Sequence, residues 1–138
     1  MDGELGVYQS FTRGRQLLRF DGFKYGTITP TDIDGMIDYH NSVLVLFEAK
    51  LAGKDVPTGQ RVALERLIQD AARANKHGIA MIIEHNINDF RRDVYATDCT
   101  VREVYTTEKR RWRPPKWHIT AKEMTDCYIS HYTKQGFI

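Results

Sequence analysis

Residues 31–50 read TDIDGMIDYHNSVLVLFEAK, two strand-like runs either side of His40-Asn41-Ser42. Asn and Ser favour tight turns because their short polar side chains bond nearby backbone, and Asn tolerates a left-handed conformation. The segment predicts a hairpin with strands Thr31 to Tyr39 and Val43 to Lys50. With the turn centred on Asn41, Asp38 faces Leu44, Met36 faces Leu46, Asp34 faces Glu48 and Asp32 faces Lys50. The other side carries Ile33, Gly35, Ile37, Val43, Val45 and Phe47, which predicts a core-facing surface. A two-residue turn at Asn41-Ser42 would instead set Glu48 against Gly35 and separate the acidic pair.

Carboxylates directly opposite on paired strands repel, and the pair costs stability unless something cationic sits between them. A hard divalent cation held by oxygen ligands would offset the repulsion between Asp34 and Glu48. Lys50, on the same face, would then place an ammonium beside the cation and its water. The plainer reading makes Asp32 and Lys50 an ordinary cross-strand ion pair, worth up to about 1 kcal/mol, and Glu48 a solvated strand end.

Downstream, Gly53 to Gly59 with Pro57 is a turn-rich loop. Leu64, Leu67, Ile68, Ala71 and Ala72 then recur at helical spacing, which predicts a helix from about Gln60 to Lys76 with Gly78 as its stop. Ile79 to Ile83 is an apolar run of the kind a sheet buries on both faces, and a helix feeding such a strand suggests a crossover unit. Val94 to Ala96 and Val101 to Thr106 read as shorter edge strands, and Lys109 to Lys116, with Pro114-Pro115, as a loop. Thr120-x-x-Glu123 is a capping-box pattern opening a C-terminal helix, with Ala121, Met124, Tyr128 and His131 or Tyr132 on one face. Upstream, Lys24 to Ile28 reads as a short strand ended by Pro30, after a short element near Arg15 to Phe20. The chain shows no repeat and no linker, which predicts one α/β domain over residues 1–138.

The series Asp32-Ile33-Asp34-Gly35, hairpin, and Glu48-Ala49-Lys50 at the end of an apolar strand resembles the core of the PD-(D/E)XK nuclease superfamily. Pro30 just before the aspartates adds to the likeness. Gln60 resembles the glutamine that several branches, including phage and viral-type nucleases, carry at the start of the following helix. The resemblance runs from Thr27 to about Asn86. It implies a restriction-endonuclease-like α/β core, a central mixed β-sheet flanked by helices, spanning about 24–106, followed by a basic loop and C-terminal helix at 107–138. It also implies a Mg2+-dependent deoxyribonuclease, with Mn2+ able to substitute, that cleaves by metal-activated water and leaves a 5′-phosphate. Carried over by position, Asp34 is the main metal-binding aspartate, with Asp32 as second choice, and Glu48 is the second ligand. The Ala49 carbonyl completes the coordination, Lys50 orients the water or stabilises developing charge, and Gln60 steadies the lysine or a phosphate.

Composition sets the outer limits. With 138 residues, 41% hydrophobic and 28% charged, the chain is long enough for a core and too apolar for disorder. Its longest apolar run, Val43 to Phe47, falls far short of the roughly 20 residues of a membrane span, and no basic segment leads into an apolar one at the start. The expectation is a cytoplasmic protein of a bacterium or phage-infected host, with no membrane partner. Cys99 and Cys127 lack C-x-x-C spacing and should be reduced thiols. The five histidines lack zinc-site spacing, although His85, ending the apolar strand, is a candidate proton carrier. No P-loop, G-x-G-x-x-G or G-x-S-x-G occurs.

The net charge of +2 is unevenly spread. Arg13, Arg15, Arg19 and Lys24 form one basic cluster near the start. Arg110, Arg111, Arg113 and Lys116 interleave with Trp112 and Trp117, a combination suited to phosphates and to stacking on unpaired bases. Arg91 and Arg92, in the loop after Ile79 to Ile83, are candidates to line the same cleft. The expected partner is DNA, in phage or mobile-element processing, repair or recombination, with a homodimer suited to junction resolution. The alternative is a catalytically inactive nuclease-fold module that binds nucleic acid without metal and is indifferent to Lys50→Ala.

Overall fold

The computed structural model of the chain describes residues 18–134 in two units, one ending at Pro30 and the other beginning at Thr31. In the first, Tyr25 and Ile28 exchange backbone hydrogen bonds of 2.8 and 3.0 Å across Gly26, whose φ is 67°. This is a tight turn rather than the strand expected from Lys24 to Ile28, because the left-handed glycine reverses the chain at once. Arg19 pairs with Asp21 at 2.6 Å. Arg13, Arg15 and most of the element expected near Arg15 to Phe20 lie outside the described residues, and 18–20 have no regular structure.

The second unit runs β1 (Gly35–Tyr39), β2 (Val43–Leu51), α1 (Thr58–Arg73), β3 (His77–His85), a 3-10 turn (Ala96–Asp98), β4 (Thr100–Thr106) and α2 (Ala121–Lys134). The strands form one four-stranded sheet in the order β1-β2-β3-β4. Its pairings are antiparallel, parallel and antiparallel, so the sheet is mixed as expected. The turn between β1 and β2 holds His40 and Asn41 at φ 54° and 59°, with the Ser42 amide donating to the Tyr39 carbonyl at 3.0 Å. The Asn41 amide also donates to Asp38 Oδ1 at 2.9 Å. These bonds centre the hairpin on Asn41, and Met36 pairs with Leu46 and Asp38 with Leu44, which is the first of the two registers open to the turn and not the one that sets Glu48 against Gly35.

Two expectations for β1 need correction. The strand starts at Gly35, not Thr31, because Asp34 leaves the ladder and spends its side chain on the Ala49 amide. Ile33 and Ile37 do not face a core; they are 39% and 36% exposed. Among the described residues β1 pairs only with β2, and the burial falls on β2 instead. Val43 and Val45 are buried on one face of β2 and Leu46 on the other.

Helix α1 carries the crossover from β2 to the parallel β3. Its Leu64 and Ile68 pack with Leu46, Ala80 and Tyr105 on one face of the sheet. On the other face Val45, Ile79, Met81, Val101 and Val104 pack with Ala121 and Tyr132 of α2. Helix, sheet and helix therefore form three layers. Helix α1 stops at Arg73, short of the Lys76 expected, because Asn75 at φ 62° takes the left-handed position that ends it. Gly78 is not the stop. It lies within β3, where a Cβ would meet Ile68 Cδ1 at 3.1 Å, so the glycine gives α1 room to sit close to the sheet.

Val94 to Ala96 is not a strand. The chain there is exposed and turns at Ala96–Asp98, with the Asp98 amide donating to the Tyr95 carbonyl at 3.0 Å. After β4 the chain doubles back along that strand's outer edge. Val104 and Arg113 exchange backbone bonds of 2.9 and 3.1 Å, and the Val101 amide donates to Ile119 at 2.9 Å. Helix α2 opens with the expected capping box: Glu123 Oε1 accepts the Thr120 amide at 2.9 Å, and Thr120 Oγ1 accepts the Glu123 amide at 3.2 Å. Of the two candidates for its last inward position, Tyr132 is buried and His131 is exposed. Thr120→Ala is expected to cost about 1 kcal/mol in chemical denaturation, and Thr120→Ser to cost much less. Among the described residues no helix is long and apolar enough to cross a membrane.

Candidate active site

The C-terminal end of β2 gathers the chemistry. Asp34 Oδ2 accepts the Ala49 amide at 2.7 Å, a bond spanning 15 positions of sequence. This holds the aspartate beside the E-x-K segment although the β1 ladder stops at Gly35. An extended residue turns its N–H and C=O toward the same edge, so the Ala49 carbonyl also faces the Asp34 side. Glu48 is 3% exposed, and Lys50 Nζ stands 3.4 Å from Glu48 Oε2. Lys50 thus pairs with Glu48, not with Asp32, and Glu48 is not a solvated strand end.

Gln60 follows from how α1 lies. Leu64 packs with Leu46, and Gln60 is one helical turn earlier while Glu48 is two residues further along β2. One turn rises about 5.4 Å and two strand residues about 6.6 Å, so both steps lead to the same end of the sheet. Glu48 Oε1 and Gln60 Oε1 are both buried with no donor among the described residues. Two orphaned acceptor oxygens at one end of the sheet are what a cation or a donor-bearing ligand would satisfy.

Burial, and then the Asp34 charge, push the Glu48 carboxyl above its ordinary value; Lys50 opposes the shift and Asp32 adds to it. A carboxyl raised in this way contributes stability below the ordinary carboxylate value, and that contribution is lost as pH rises through the shifted value. At neutral pH, ionised Glu48 is therefore a net cost to the fold. Glu48→Gln is expected to raise Tm at pH 7 in EDTA, with the gap closing below about pH 4.5. Thermal melts across pH check this, and a gap that widens in acid would contradict it.

Among the described residues, no three His, Cys, Asp or Glu side chains converge as a ready metal cluster. The donors here are two carboxylates and a main-chain carbonyl, with Asp32 near enough for its charge to act on Glu48. That oxygen set, together with the orphaned Glu48 Oε1, fits a hard cation that keeps several waters.

The basic segment lies elsewhere. β4 runs away from this end, since Thr106 pairs with Ile79 near the start of β3 whereas Glu48 pairs with Ile82 near its end. Arg110, Arg111 and Lys116 are exposed and Arg113 is half-buried beside Val104. Trp112 packs against α1: its Nε1 donates to Glu65 at 2.7 Å, Tyr105 lies 5.5 Å from its ring and the Arg61 guanidinium 5.1 Å over it. Trp117, 70% exposed, is the more open of the two indoles. Arg91 is held by Asp89 at 3.1 Å. His85 Nδ1 accepts the Ile87 amide at 3.1 Å.

Arg102 escapes sequence reasoning. A bulge between Ile82 and Ile83 shifts the β3–β4 register, and Arg102 reaches Glu84 Oε1 at 2.6 Å and the Lys54 carbonyl at 2.7 Å. Glu84 is the β3 partner of Lys50, so this ion pair buttresses the lysine's strand. Period-two alternation cannot announce a bulge, and nothing around Arg102 marks one. Comparison of the chain with protein-family models, curated proteins and solved structures gives no match.

Proposed function

We propose that this chain is a Mg2+-dependent nuclease that hydrolyses DNA phosphodiester bonds, serving phage or mobile-element DNA processing, repair or recombination. The observation that carries the reading is the bond from the Ala49 amide to Asp34, which joins the aspartate to Glu48 and Lys50 at one strand end. The order hairpin, apolar strand, E-x-K, helix, parallel strand supports a restriction-endonuclease-like core. Asp34, Glu48 and the Ala49 carbonyl would hold Mg2+, with Asp32 beside them. Bound there, the ion would offset charge on phosphate oxygens and acidify a water.

The remaining work falls to the chain's own groups. Lys50 supplies a fixed positive charge where the attacked phosphate gains negative charge, and Glu48, 3.4 Å away, restrains it. Gln60 orients a phosphate or the lysine through its amide. Free Cys99 and Cys127 suit a cytoplasm.

The test is cleavage of linear, nicked, single-stranded and branched DNA with Mg2+ or Mn2+ by the wild type, Glu48→Ala and Lys50→Ala. Metal-dependent cutting is expected from the wild type and its loss from both variants. A wild type that binds DNA and cuts none of these would overturn the catalytic reading in favour of a binding module.

A further inference from the structure

A cleft of about 590 Å3 opens beyond the C-terminal ends of β2 and β3, walled by the loop that follows His85 and by the start of β4. It begins where the acidic site ends. Ala52, just past Lys50, lies in its wall and its amide donates to the His85 carbonyl at 2.7 Å. Glu84, the register partner of Lys50, lies in the same wall. The volume suits a small molecule or a single nucleotide, not a double helix.

The lining combines groups that no simple anion would need together. Tyr95 contributes an aromatic ring and is 64% exposed. His85 contributes a donor: the Ile87 amide occupies Nδ1, and an amide N–H can only donate, so the neutral ring carries its proton on Nε2. Arg92 contributes a guanidinium with no ion-pair partner among the described residues. Asp93 and Asp98 add two carboxylates, likewise without ion-pair partners there. Bare phosphate would be repelled by that acidic pair, and a purely cationic ligand would meet Arg92. A nucleotide answers both, with an aromatic base bearing donors and a phosphate attached to it.

We propose that this cleft takes one unpaired nucleotide of the strand, its base against Tyr95 and its phosphate met by His85 and Arg92 on the side of Lys50. That the strand is also cut rests on the nuclease reading; the binding does not. The substrate class is then single-stranded or locally unpaired DNA, since a base held in a duplex must first be unstacked. Asp93 and Asp98 accept hydrogen bonds from exocyclic amino groups, so cytosine, adenine and guanine are preferred to thymine, which has none.

The experiment is fluorescence anisotropy of short labelled oligonucleotides in EDTA with the wild type, Tyr95→Ala and Tyr95→Phe, alongside the cleavage panel. Single strands are expected to bind more tightly than the matching duplex, and oligo-dC more tightly than oligo-dT. Tyr95→Ala is expected to weaken single-strand binding about tenfold or more, and Tyr95→Phe to preserve it, because stacking needs the ring and not the hydroxyl. The backbone at Tyr95 is secured by its carbonyl and not by the ring, so the fold survives either change. Equal binding by Tyr95→Ala and wild type would overturn the inference even if Glu48-dependent cleavage is found. Ring-dependent binding by a wild type that cuts nothing would sustain the cleft and sink the nuclease reading.

Discussion

Lys50→Ala is expected to slow strand cleavage by about 10²–10³-fold while changing DNA affinity far less, the size of effect seen when one preorganised transition-state contact is removed. The Lys50 side chain is 23% exposed and stands beside the buried Glu48, so its charge acts in a medium less polar than water. Its charge matters most when the phosphate becomes more negative, so the loss falls on the chemical step and not on binding. The change has a second consequence. Lys50 is what opposes the upward shift of the Glu48 carboxyl, and without it that carboxyl rises further and ionises less readily. In EDTA, the stability that Glu48 loses as its carboxyl ionises should therefore be lost over a higher pH range in Lys50→Ala than in the wild type. Lys50→Arg is expected to recover only part of the rate, since a planar guanidinium keeps the charge but not the position of a compact ammonium. Single-turnover rates and thermal melts across pH are the measurements, and a rate loss of less than threefold would remove Lys50 from the reaction.

Leu46→Ala is the substitution expected to harm the fold most, by about 3 kcal/mol or roughly 10 °C in Tm. Leu46 of β2 is fully buried beneath α1, in one cluster with Leu64, Ile68, Ala80 and Tyr105. Truncation leaves a cavity that α1, tied at both ends to neighbouring strands, cannot close completely. Its register partner on β1, Met36, is 64% exposed, and Met36→Ala should cost little. Equal losses from the two substitutions in denaturant titrations would contradict the layered arrangement. Because Leu46 and Glu48 share a face of β2, Leu46→Ala should also loosen the support beneath the acidic site.

Turn chemistry narrowed the hairpin register in advance to two choices, because Asn41 and Ser42 offer few ways to reverse a chain and each fixes every cross-strand pair at once; the turn centred on Asn41 is the one that forms. The capping box at Thr120 and Glu123 was equally legible, being a purely local exchange of bonds. Burial was not. Ile33 and Ile37 alternate as core residues do, yet Ile33 precedes β1 and the exposure of Ile37 depends on how far α2 extends over its face of the sheet, which the β1 residues themselves do not encode. The end of α1 was misplaced because Gly78 is the commoner stop signal, while Asn75 took the left-handed position and the glycine answered a packing demand from Ile68. At the site, the register pointed Asp34 toward Glu48, but the ladder ends at Gly35 and the bond from the Ala49 amide is what holds the aspartate there, while the burial of Glu48 required the docked helix. The cleft beyond β3 could not be seen at all, since its walls come from loops and a bulged strand joined only by tertiary contacts.

The difference in span between the two pairings of β2 sets an order for folding. The β1–β2 hairpin is local, whereas the β2–β3 pairing must close over the whole of α1, at a greater cost in chain entropy. Asp34 and Glu48 therefore meet early, in open water, where the high dielectric keeps their repulsion small. Only when α1 docks is Glu48 stripped of solvent. The electrostatic cost of the site falls on that late step, so the first turn of α1 docks against the charge that the hairpin has already assembled.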